Sequence, residues 1–127
     1  MSVQLLDREL ERLEGLWTDG LSDAYRAYLE DVRRHEPEVQ QKFALAAALI
    51  EMGVRLQGLG GRAAPPTTLL MGDLCLARGS RLLADSAPLE MQVAFAHAIE
   101  QMSTAAASNR PVGEARKLLS EALGTAA

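Results

Sequence analysis

Apolar residues along this chain recur every three or four positions, the period of a helix, and hardly ever alternate as they would in a half-buried strand. The first segment with this spacing spans about residues 3–17. Leu6, Leu10, Leu13 and Trp17 form its stripe and "DRELER" its wet face, and Asp19-Gly20 ends it. In a second helix, Leu21, Tyr25, Tyr28 and Val32 repeat at helical spacing, with Ser22 as the expected N-cap. A third is expected to open at Pro37, a residue suited to a first turn, and to run to about Gln57. Residues 58–66, "GLGGRAAPP", are the sharpest break in the chain. A fourth helix is expected over about 67–85 with Thr67 or Thr68 as its cap, and a fifth starts from Ser86 and Pro88. The fifth carries a broad stripe of Leu89, Val93, Phe95, Ile99 and Met102. After a turn at 108–111, Val112, Leu118, Leu119 and Leu123 mark a short last helix.

The third helix departs from the one-stripe pattern. Val39, Phe43, Leu45, Leu49, Ile50, Met52, Val54 and Leu56 cover more than one side of it, which places it at the centre of a bundle. The expected architecture is all-α: a single domain over 1–127, built as a bundle of about six helices joined by short loops. With 48% hydrophobic but only 4% aromatic residues, aliphatic side chains must fill most of the core.

Charge and composition narrow the function. A net charge of -4 with scattered, interleaved arginines argues against a nucleic-acid footprint, which needs a clustered basic face. The start, "MSVQLLDRELERLEG", lacks the basic opening and apolar run of a secretory signal. The longest strongly apolar run, "FALAAALI", is eight residues, where a spanning helix needs about 20. A cytoplasmic protein with no integral membrane segment is expected.

No catalytic constellation emerges from the residue types. Cys75 is the sole cysteine, so no disulfide forms within the chain, and on an apolar helix face its thiol is expected to stay protonated as packing material. His97 and Glu100 reverse the Glu-x-x-His order of carboxylate-bridged metal bundles and have no second copy, so a surface or locally satisfied histidine is expected there. His35 lies in a charged helix end and is expected to be solvated. "GLGG" lacks the Gly-Lys-Ser/Thr ending of a phosphate loop, and no cofactor is expected in this chain.

What does stand out is surplus apolar surface. The third, fourth and fifth helices are apolar over more than one face, and six short helices cannot cover all of it. On the fourth, Leu74, Ala77 and Arg81 share one face, and Leu70, Asp73 and Ala77 an overlapping one. Asp73, Arg78 and Arg81 can be read as charges rimming an apolar seam, which would fix its register, or simply as side chains reaching water from the bundle surface.

The segment "TTLLMGDLCLARGSRLLAD", Thr67–Asp85, resembles the helix that follows the first aspartate-rich motif of trans-type polyprenyl diphosphate synthases. Gly72, Asp73, Ala77, Arg78, Leu82 and Leu83 match that family's apolar run, Gly-Asp, Ala-Arg and leucine pair. Upstream, "AAALIEMGVRLQGL", Ala46–Leu59, is similar to the helix that carries the motif itself. The resemblance covers about residues 44–107. In the family this helix ends in Asp-Asp-x-x-Asp, which binds magnesium and the allylic diphosphate. Here Gly58-Leu59-Gly60-Gly61 stands in its place, and the second aspartate-rich motif has no counterpart. Prenyl transfer needs magnesium to neutralise the departing pyrophosphate, so the resemblance implies a chain that is not an enzyme alone.

That departure is similar to the small subunit of bacterial heterodimeric hexaprenyl and heptaprenyl diphosphate synthases. The implied function is a non-catalytic subunit that pairs with a catalytic synthase chain and helps set product length in making quinone side chains, such as that of menaquinone. Magnesium would be bound by that partner. The implied interface lies on the fourth and fifth helices, with Leu70, Asp73, Leu74, Ala77, Arg78, Arg81, Phe95 and Ile99 as candidates. Met52, Leu56, Met71 and Cys75 are candidates for facing the prenyl tail. The alternative is a self-associating helical module without a prenyl role, a homodimer if no partner is present.

Overall fold

The computed structural model describes residue 15 and residues 20–57, 66–107 and 115–125. Five helices lie within them: α1 (Ser22–Asp31), α2 (Pro37–Leu56), α3 (Pro66–Ser86), α4 (Leu89–Ala107) and α5 (Ala115–Leu123). No strand occurs among the described residues. The helix expected over 3–17, the break after Gln57 and the turn at 108–111 lie outside them, so α1 to α5 correspond to the second through sixth expected helices.

The ends of the helices differ from expectation by a residue or so, each for a local reason. Ser22 is the first helical residue of α1 rather than its cap, and Leu21 precedes it without a side-chain cap bond. α2 opens as expected on Pro37, behind an extended Glu36 at ψ 143°, the conformation that a following proline favours. α3 begins on Pro66, one residue ahead of the expected threonine caps, because proline's fixed φ and missing N–H suit a first turn. Ser86 closes α3 instead of opening α4, its hydroxyl donating to the Leu82 carbonyl at 2.5 Å. Pro88 does sit at the start of α4, where its carbonyl accepts from the Met91 and Gln92 amides.

α2 is the central rod. Phe43, Ala44, Ala46–Gly53 and Val54 are all buried, so the helix meets protein on most sides. α3 packs along it most extensively, α1 on another side and α5 on a third, while α4 leans on α5 and meets α3 only weakly. From α1 and the residues that flank it, Leu21, Ala24, Tyr28 and Val32 enter the core at spacings of three and four. α4 contributes Met91, Phe95, Ala98 and Met102 on one line, and α5 adds Leu119, Ala122 and Leu123. None of the described helices is long and apolar enough to cross a membrane.

The contact between α2 and α3 is close because glycines line it. A methyl group added at Gly53 would lie 2.6 Å from Leu76 Cγ and 2.9 Å from the Gly72 carbonyl oxygen. One added at Gly79 would lie 2.8 Å from Ile50 Cγ1 and 2.9 Å from the Ala46 carbonyl oxygen. Gly72 and Gly79 are seven residues apart, two turns along one face of α3, so the two backbones approach at both positions.

Candidate interaction face and a buried carboxylate

α3 presents two different faces. Gly72, Cys75, Gly79 and Leu83 point inward, at spacings of three and four, onto α2. The opposite line holds Leu70, Leu74, Ala77, Arg81 and Ala84, all exposed except Leu74, which is half-buried. Leu70 leaves 67% of its surface open and Leu69 38%. At the start of α4, Leu89 is 73% and Val93 46% exposed. These four large apolar side chains face outward in two groups, Leu69 and Leu70 near the start of α3 and Leu89 and Val93 beyond its other end.

Charges lie along the exposed side of α3. Asp73 Oδ1 accepts a hydrogen bond from Gln57 Nε2 at 2.5 Å, which ties the carboxylate to the end of α2. Arg81 Nε pairs with Asp85 Oδ2 at 3.2 Å, one turn on. Arg78 is exposed beside them. All three charged candidates therefore reach water in this chain.

The remaining sequence candidates divide by burial. Ile99 is half-buried. Phe95 is 1% exposed and belongs to the core, so it offers no side chain to a partner. The broad stripe expected on the fifth helix is in fact two lines, because a two-residue step turns a helix by about 200° and sets Val93 and Phe95 on opposite sides. Leu69, Leu89 and Val93 are further outward apolar residues; on α4 the i, i+4 line Leu89–Val93, with Ala96 and Glu100 continuing it, is the signal that marks that side as wet. Of the four prenyl-tail candidates, Met52 and Cys75 are buried in the core, and Leu56 and Met71 are half-buried against it. Burial raises the Cys75 thiol pKa, only partly countered by the nearby Arg78 charge, which keeps the group a protonated thiol.

The most built polar cluster is one the sequence patterns did not flag. Glu51 lies fully buried inside α2. Its Oε1 accepts from the Tyr28 hydroxyl at 2.8 Å and from Arg116 Nε at 3.0 Å. Its Oε2 accepts from Arg116 Nη2 at 3.0 Å and lies 3.1 Å from Arg55 Nη2. Arg116 also reaches Asp23 at 3.5 Å, and its guanidinium lies 5.9 Å from the centre of the Tyr28 ring. Burial by itself would raise the carboxyl pKa. The hydrogen bonds from Arg116 and Tyr28 and the charges of Arg55 and Arg116 outweigh it, and the net direction is downward. Tyr28 is driven up, chiefly by burial, and keeps its proton. A carboxylate with both oxygens engaged and a lowered pKa is a poor base; what it does here is clamp α5 to α1 and α2.

Two further ties hold α5. The Ser120 hydroxyl donates to Asp31 at 2.6 Å. His35, expected to be solvated, is half-buried: its Nε2 lies 2.6 Å from the Leu123 carbonyl oxygen, and its ring meets Phe43 edge-on at 5.1 Å. A helix end close in space but 88 residues away in sequence thus supplies the partner that a local reading assigns to water. His97 does lie on the surface, 3.8 Å from Glu100. Among the described residues, no group of three or more histidine, cysteine, aspartate or glutamate side chains could hold a metal ion.

In comparisons with known proteins, no family model matches this chain, and no curated protein or solved structure matches it.

Proposed function

We propose that this chain is a non-catalytic helical subunit that docks onto a catalytic trans-polyprenyl diphosphate synthase and helps set the length of its product, a quinone side-chain precursor. The observation that carries the reading is outward apolar side chains at both ends of α3: Leu69 and Leu70 near its start, and Leu89 and Val93 on α4 just past its end, are exposed on helices whose opposite faces already fill the core. That surface suits a partner's helices. The resemblance, over about residues 44–107, suggests the partner, since this chain lacks the aspartates that would hold magnesium. In the complex the partner binds magnesium and both diphosphates, and this chain supplies apolar wall and shape.

Co-expression with a full-length synthase from the same genome tests the reading. The expected result is a co-purifying complex whose product length differs from that of the synthase alone. Failure to form a complex, with product length unchanged, overturns it. The isolated chain incubated with farnesyl and isopentenyl diphosphates and magnesium is expected to give no elongation, and turnover there would contradict the proposal equally.

A further inference from the structure

The outer face of α3 has an internal order that the docking proposal does not use. Leu70, Leu74, Ala77, Arg81 and Ala84 follow one another at steps of four, three, four and three. That is the seven-residue repeat with which one helix packs along another. At its midpoint stands Ala77, an exposed small residue, which lets a second helix come close. Asp73 lies four residues before Ala77 and Arg81 four residues after it, and both side chains are exposed.

We propose that two copies of this chain pair through α3, antiparallel, about a two-fold axis beside Ala77. In that arrangement Asp73 of each copy faces Arg81 of the other, twice over by symmetry. Leu70 lies over the partner's Ala84, large against small. A parallel pair would instead set Asp73 against Asp73 and Arg81 against Arg81, so the charge order selects both the direction and the register. Arg81 is already steadied by Asp85 at 3.2 Å, so in the pair it sits between two carboxylates. Asp73, which takes one hydrogen bond from Gln57, keeps accepting capacity for the incoming guanidinium. The face is thus complementary to itself in charge as well as in size. The inference stands on this charge order and not on the synthase reading: a synthase that binds the same face would compete with the second copy.

Charge reversal tests it without disturbing the core, because both residues face water. The wild-type chain is expected to show a concentration-dependent monomer–dimer equilibrium in sedimentation, shifting toward monomer in molar salt, where the Debye length is about 3 Å. Asp73→Arg alone and Arg81→Asp alone each set like charges together twice, and each is expected to raise the dissociation constant at least about tenfold. An equal mixture of the two variants restores both attractive pairs and is expected to form a mixed dimer of wild-type strength, as is the double variant Asp73→Arg/Arg81→Asp with itself. The restoring mixture also shows that each variant is folded. A wild-type chain that stays monomeric, a dimer indifferent to either reversal, or a mixture that fails to recover overturns the proposal. Failure to bind a synthase leaves these outcomes unchanged.

Discussion

The two faces of α3 are built from similar residues and behave differently. The inner face carries Gly72, Cys75, Gly79 and Leu83, and the outer face Leu70, Leu74, Ala77 and Ala84. Inside, glycines let α2 approach until its backbone and that of α3 nearly touch, and any added atom meets Ile50, Leu76 or a carbonyl oxygen. Outside, Leu70 stands exposed and Leu74 half-buried, with charges beside them. Apolar character alone does not separate a core face from an interaction face. The presence of a sterically matched neighbour does, and that is a property of α2 as much as of α3.

Breaking the inner arrangement should cost most where charge is involved. Glu51→Ala removes the acceptor for the buried Tyr28 hydroxyl and frees Arg116, and is expected to lower unfolding free energy by about 3 kcal/mol in urea titrations. Gly79→Ala should cost about 2 kcal/mol by overpacking against Ile50 and Ala46, even though alanine is the better helix former by about 1 kcal/mol. A stable Gly79→Ala variant would mean that the two helices are not in close contact.

Acid should weaken the clamp. Because the Glu51 carboxyl pKa is lower in the folded chain than its ordinary 4.5, the unfolded chain takes up the proton first as pH falls. The stability it contributes is complete above the ordinary carboxylate range and is lost as pH drops through the folded value. Wild-type protein should therefore lose stability in acid more steeply than Glu51→Gln, which denaturation at a series of pH values checks. The smallest effect is expected on the outer face. Leu70→Ser should change monomer stability by no more than about 0.5 kcal/mol in the same urea assay.

The bundle was largely legible in the sequence. The several-sided apolarity of α2 marks it as the central rod, and of the stripe Leu21, Tyr25, Tyr28 and Val32 all but the half-buried Tyr25 are buried. What escaped were features whose partners are distant in sequence. Glu51 is a lone acid in "ALIEMGV", and its meaning depends on Arg116, 65 residues further on. His35 likewise depends on Leu123. Gly72 was read as half of a Gly-Asp pattern, whereas its seven-residue spacing from Gly79 was the available sign of close packing. Val93 and Phe95 are alike in apolar character and differ only in helical phase, which sets one in water and the other in the core. The exposed line on α3 was legible as a surplus from its apolar spacing alone.

The claim on which the account turns is that Leu70 and Leu89 serve contact with another chain and not the stability of this one. Leu70→Asp/Leu89→Asp should be followed by urea unfolding and by size measurement with and without a synthase chain on the same preparation. The account predicts unfolding free energy of the monomer within about 0.5 kcal/mol of wild type, together with loss of association. A loss of about 2 kcal/mol or more, or an assembly state that does not change, would contradict it.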